Sequence, residues 1–209
     1  MSAQAAAAGV TMHRALAPEE LARADFYALL ANLLNAGPDG ALLAALAAAK
    51  PLEGDPDLAR AWQGLVHAAS AMDADAAAEE YDTLFSGMGK AVVSIFAGFY
   101  TGAPAVDHPR VRIQAALAEL NLGQAEQVTE PEDHLAGLLE AMRVLVAGGA
   151  GRAPATLAEQ RRFYQDHVER GAAGFFRALA TAPQSNFYRH VAAVGSAFVA
   201  LESQSFQLD

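Results

Sequence analysis

The chain has no cysteine, so six histidines and 24 acidic residues are its main candidates for holding a metal. Thiolate zinc sites, iron–sulfur clusters and disulfide staples are thereby excluded. Di-iron bundles take Glu-x-x-His, which sets both ligands on one helix face. No histidine here has a glutamate three residues before it, and the zinc-protease pattern His-Glu-x-x-His is absent too. Gly87-Met88-Gly89-Lys90 has the look of a phosphate loop. However, Leu84 stands where the first glycine belongs, and Ala91 replaces the magnesium-binding Ser or Thr. There is no Gly-x-Ser-x-Gly elbow and no cysteine nucleophile. The chain is expected not to be an enzyme and to hold no metal or cofactor of its own.

One run does concentrate polar chemistry: Glu130-Pro131-Glu132-Asp133-His134. As plain structure, Thr129 caps a helix, Glu132 completes a capping box and Pro131 suits a first turn. That leaves His134 unexplained, because a helix start disfavours a protonated imidazole. The alternative is a carboxylate–imidazole cluster that holds a partner's backbone or a cationic group. On the residues alone both stand. Glu79 and Glu80, just before Tyr81, read as a solvated helix face. Tyr81, Phe85, Phe96, Phe99 and Tyr100 surround the glycine loop Ser86 to Lys90. Such aromatics are usually core, and Phe85 has that plain reading. Grouped around a loop, they also suit an apolar groove for a helical or extended peptide, with buried anchors and charges that steer the encounter.

The elements that position these residues are helices. Of the chain's 209 residues, 53% are hydrophobic, with alanine, the best helix former, prominent among them. Strand-forming runs of Val, Ile and Thr are nearly absent. Pro18 opens a helix with Glu19 and Glu20 in its first turn, and Phe26, Leu29, Leu30 and Leu33 form one apolar face. Further helices are expected from Asp39 to Lys50, from Asp55 (Leu58, Trp62, Leu65, Val66, Ala69), from Asp73 to Phe85, and from Pro109 to Asn121. The clearest starts at Thr129–His134, carries Leu135, Leu138, Leu139, Met142, Leu145 and Val146, and stops at Gly148-Gly149. Two or three more run from Pro154 to Ser203, with breaks near Gly171 and Pro183. The expectation is all-α: a single-domain bundle of about nine or ten helices over residues 18–205, after a disordered lead, residues 1–17.

A net charge of −10 and a pI near 5.0 argue against a nucleic-acid partner and suit a basic one. The alanine-rich start lacks the opening positive charge and leucine-rich stretch of a signal peptide. Val191 to Leu201 is the longest uncharged apolar stretch near the C-terminus. Crossing a bilayer takes about 20 residues, so no membrane insertion is expected. The chain reads as soluble and cytoplasmic.

In three segments the sequence resembles the TorD/DmsD family, maturation chaperones of molybdenum-containing redox enzymes. These are Glu80-Tyr81-x-x-Leu84-Phe85-x-Gly87 with the following aromatics, Glu130-Pro131-Glu132-Asp133-His134-Leu135, and Phe163 through Asp166-His167 to Phe187-Tyr188, Phe198 and Glu202. The opening helix, with Phe26-Tyr27-x-Leu29-Leu30-Ala31, is similar to the family's as well. The chain departs from the family pattern at Met88, often Pro there, and in lacking a tryptophan after His167. With Trp62 the only tryptophan, any groove must use Phe and Tyr.

The resemblance implies an all-helical chaperone that binds the twin-arginine signal peptide of a molybdopterin oxidoreductase. It would hold that catalytic subunit back from export until the cofactor is inserted. Formate dehydrogenase and a dimethyl-sulfoxide-reductase-like enzyme are candidate clients. It nominates Asp133 and His134 for signal-peptide binding, Pro131 and Glu132 for shaping the helix start, and Tyr81, Phe85, Phe96, Phe99 and Tyr100 for the groove. A monomer or domain-swapped dimer is implied, and guanine-nucleotide binding has been suggested for some members. Three rivals stand beside it: a nitrate-reductase-type assembly chaperone without an export role, a small-molecule binder or enzyme on a helical bundle, and a helix-turn-helix regulator. The last would need a basic N-terminal region, yet residues 18–50 carry only Arg23 and Lys50.

Overall fold

The computed structural model describes residues 16–86, 91–102, 109–122, 131–149 and 151–208. The proposed lead up to residue 15, the loop 87–90 and Thr129 lie outside the described residues. Among the described residues nine α-helical segments follow one another: α1 (Pro18–Asn35), α2 (Gly40–Ala47), α3 (Pro56–Ala71), α4 (Ala74–Tyr81), α5 (Pro109–Glu119), α6 (Leu135–Ala147), α7 (Leu157–Phe163), α8 (Glu169–Thr181) and α9 (Tyr188–Leu208). Among the described residues there is no strand, and the fold is a single all-α domain.

Local signals set most of the boundaries. Pro18 and Pro56 occupy first turns, where a missing N–H costs nothing. Asp39, Asp55 and Asp73 cap α2, α3 and α4 by accepting backbone N–H groups, and Thr156 and Glu159 form a reciprocal capping box on α7. Gly148 ends α6 at φ 75°, a left-handed conformation that glycine adopts at little cost.

α6 is the central rod. Leu135, Leu138, Leu139, Met142, Leu145 and Val146 are all fully buried, which fits an axis wrapped by neighbours. α1 lies along it, α8 and α9 pack together, α3 packs on α9, and α2 covers α3. Across α1 and α9 the Arg23 guanidinium grips Glu202 with two 2.8 Å bonds, and Tyr27 donates to the same carboxylate at 2.7 Å. Burying a charge is tolerable when it is paired and hydrogen-bonded in this way.

The helix count needs correcting. α7 runs through a π turn, Tyr164–Val168, straight into α8, so the nine segments make eight rods rather than nine or ten. The break expected near Gly171 does not occur. Gly171 sits buried inside α8, where its missing side chain serves close packing, not termination. α4 likewise ends in a π turn, Asp82–Ser86, which carries Leu84 and Phe85.

The start of α6 differs too. Its N-cap is His134, and Glu132 lies in the turn before it, so Glu132 completes no capping box. Glu80 is not on a solvated face. It is buried, and its carboxylate accepts the backbone N–H groups of Asn186, Phe187 and Tyr188 at 2.8–3.0 Å.

Candidate functional site

The site is built on α8. An added Cβ at Gly171 would lie 2.6 Å from Ala97 Cβ, and one at Gly174 would lie 2.5 Å from Tyr100 Cβ. Both distances are closer than real side chains pack. The two glycines therefore make a flat shelf, and a 3-10 turn, Ala97–Tyr100, sits directly on it. Tyr100 pins this turn by donating to Ser94 O at 2.7 Å and packing its ring on Phe175. Burial pushes the Tyr100 phenol up to about 12, so it remains a donor at neutral pH.

The strip before the turn meets the run that precedes α6. Ala97 N–H donates to Asp133 O at 2.8 Å and Leu135 N–H to Ile95 O at 3.1 Å, an isolated antiparallel bridge. His134 N–H closes its own turn onto Pro131 O at 2.9 Å. Phe96 and His134 are thereby set opposite each other, with ring centres 5.8 Å apart and planes at 81°. Such edge-to-face geometry adds about 0.5–1.5 kcal/mol to aromatic pairs.

The acidic side chains close the arrangement. Asp133 is buried, and its Oδ2 lies 2.9 Å from where a Cβ on Gly98 would stand, so the bare glycine lets the carboxylate come up against the turn. Its Oδ1 accepts no hydrogen bond. Arg110, in the first turn of α5, brings Nε to 3.6 Å from Asp133 Oδ1 and Nη2 to 3.6 Å from Glu132 Oε2. These are ion-pair distances, too long for hydrogen bonds.

The nine nominated residues do not form one surface. Phe96, Asp133 and His134 meet directly, with Pro131 and Glu132 on the adjoining turn. Phe99 projects from the 3-10 turn with 74% of its surface exposed, while Tyr100 beneath it is half-buried. Tyr81 and Phe85 belong to a separate aromatic stack. Tyr81 donates to Leu34 O and Asn35 O, and Phe85 packs on Tyr188 and Phe175. Phe175 links that stack to Tyr100.

Sequence reasoning missed Arg110, Gly98 and a cavity. A signal for Arg110 was present: α5 carries Arg110 and Arg112 at its positive end and Glu119 at its negative end, the reverse of what the helix dipole favours. A locally unfavourable charge suggests a tertiary partner. The cavity, about 680 Å³, lies behind Gly98 and Pro109 and is bounded by Arg112, Asp166, His167 and Arg170. Its π-turn wall is a feature often found at functional sites. Partial burial holds His167 below the ordinary histidine range, with Arg112 and Arg162 adding to the effect and Asp166 opposing it.

Val92, Phe96, Phe99 and Val111 are exposed, Val111 next to Arg110 in the chain. The chain matches the nitrate reductase delta subunit family over residues 52–177, well over half its length, and belongs to that family. This is a family of molybdoenzyme assembly chaperones, not of enzymes, and the TorD/DmsD resemblance holds at that level. All nine nominated residues lie within the matched stretch. No curated protein matches the chain. Among the described residues, no helix is long and apolar enough to cross a membrane.

Proposed function

We propose that this protein is a cytoplasmic chaperone that binds the twin-arginine signal peptide of a molybdopterin oxidoreductase and delays its export until the cofactor is in place. One observation carries the reading. The Asp133 carboxylate, buried at the entrance of α6 with Oδ1 unbonded, sits against Gly98 in the turn that carries the exposed Phe99, and its neighbour His134 faces the exposed Phe96 ring. A signal of this kind is cationic at one end and apolar beyond it. Its guanidinium would meet Asp133 and Glu132, and its apolar stretch would lie over Phe96, Phe99 and Tyr100. Charge-assisted bonds to a buried carboxylate are worth more than surface pairs, so Asp133 would set much of the affinity. His134, held against Phe96, would fix the edge of the groove.

Calorimetric titration with a client signal peptide tests this. The double variant D133A/H134A is expected to bind at least about tenfold more weakly, equivalent to 1.4 kcal/mol, with its helical circular dichroism unchanged. Equal affinity in variant and parent would remove the pair from the site.

The family description favours a second reading, in which the chaperone assembles its catalytic subunit without any role in export. Replacing both arginines of the peptide by glutamine separates the two. Binding that survives the replacement belongs to the second reading.

A further inference from the structure

Arg110 is the only cation that Asp133 and Glu132 meet among the described ion pairs, and it meets them poorly. One guanidinium straddles two carboxylates at 3.6 Å from each, donating a hydrogen bond to neither. An arginine bound as a ligand would normally form bidentate bonds at 2.7–2.9 Å. The exposures are unequal: the side chain of Arg110 is 57% exposed, those of Glu132 and Asp133 only 21% and 10%. Arg110 can therefore swing into water at small cost, whereas Asp133 cannot follow it. The positive end of α5 also works against Arg110 staying where it is.

We propose that Arg110 is a resident stand-in for the client's arginine: it neutralises Asp133 and Glu132 in the empty chaperone and is displaced when a client guanidinium takes its place. This rests on the assignment of Asp133 to the peptide site. Without a client, Arg110 tempers a buried acidic pocket that would otherwise attract any cation. With one, the better-bonded guanidinium wins, and a neutral or singly hydrogen-bonding side chain does not. Arg110 thus sets a threshold for occupancy and so acts as a specificity residue. A site closed by an internal competitor binds more weakly by the fraction of time it is open. Exposed ion pairs are weak, so the resident contact costs the client about three- to tenfold in affinity.

The test is titration of a synthetic signal peptide bearing paired arginines against the full chain, R110Q, D133N and R110Q/D133N. R110Q is expected to bind about three- to tenfold more tightly than the parent. The gain should shrink toward nothing in the D133N background, since the two substitutions act on one contact. Unchanged or weaker binding by R110Q, with D133N weaker than the parent, overturns the role of Arg110 alone. A gain that is undiminished in R110Q/D133N also overturns it, because it reports only general repulsion of a cationic peptide. Unchanged binding by D133N overturns the site assignment itself, and this proposal with it.

Discussion

Glu80 Oε1, in the last turn of α4, accepts the backbone N–H of Tyr188, the first residue of α9, at 2.8 Å. The same carboxylate takes Asn186 N–H at 2.8 Å and Phe187 N–H at 3.0 Å. A helix start leaves such donors without partners and favours negative charge. Here the cap comes from a residue 108 positions away in sequence. It ties α4, which carries the Tyr81–Phe85 stack, to the long helix that backs α8.

Removing this cap strands the buried amides of Phe187 and Tyr188. E80A is expected to lose about 2–4 kcal/mol in denaturant unfolding, the cost of orphaned buried donors. Peptide affinity of the folded fraction should stay near that of the parent, because Glu80 touches none of Phe96, Asp133 or His134. A loss within about 0.5 kcal/mol would show that the carboxylate is only a surface charge.

The aromatics divide into two groups that mutation can separate. F99S removes a ring with 74% of its surface exposed, so stability should change by no more than about 0.5 kcal/mol while peptide binding weakens. F85A opens a gap against Tyr188 and Phe175 and is expected to cost about 2 kcal/mol, with binding little altered. Thermal melts paired with titrations read both effects. The reverse pattern, with F99S destabilised and F85A defective in binding alone, would exchange the two assignments.

Two histidines give the stability a pH dependence. Burial first, then neighbouring cations, holds His167 and His190 below the ordinary value of 6.5. As pH falls through 6.5 the unfolded chain takes up protons that the folded chain still refuses. Stability is therefore complete above that value and is lost as pH falls toward the folded-state values. Melts at about pH 7.5 and 5.5 should show a lower Tm at the acid end, and H167Q/H190Q should flatten that difference. A parent Tm that climbs on acidification over this window would contradict the burial argument.

Much of this was legible along the chain because it depends on near neighbours. Helix starts follow from Pro18, Pro56 and the Asp caps. The apolar stripe of α6 follows from its period, and its end follows from Gly148. The run Glu132-Asp133-His134 stood out by residue type alone. Family membership was likewise readable, since it rests on local motifs. What folding alone decided were the relations between distant segments. A carboxylate next to a tyrosine reads as a solvated surface charge until α9 arrives to cover it, as it covers Glu80. A glycine in a helix reads as a break, because nothing nearby in sequence reveals that Ala97 will lie against Gly171. No local rule pairs Arg110 with Asp133, 23 positions apart, since that contact exists only once α5 and the start of α6 face each other. Hydrophobic period and capping act within a turn or two of the chain. Burial, close approach and ion pairing are set by whichever surfaces the packed helices bring together.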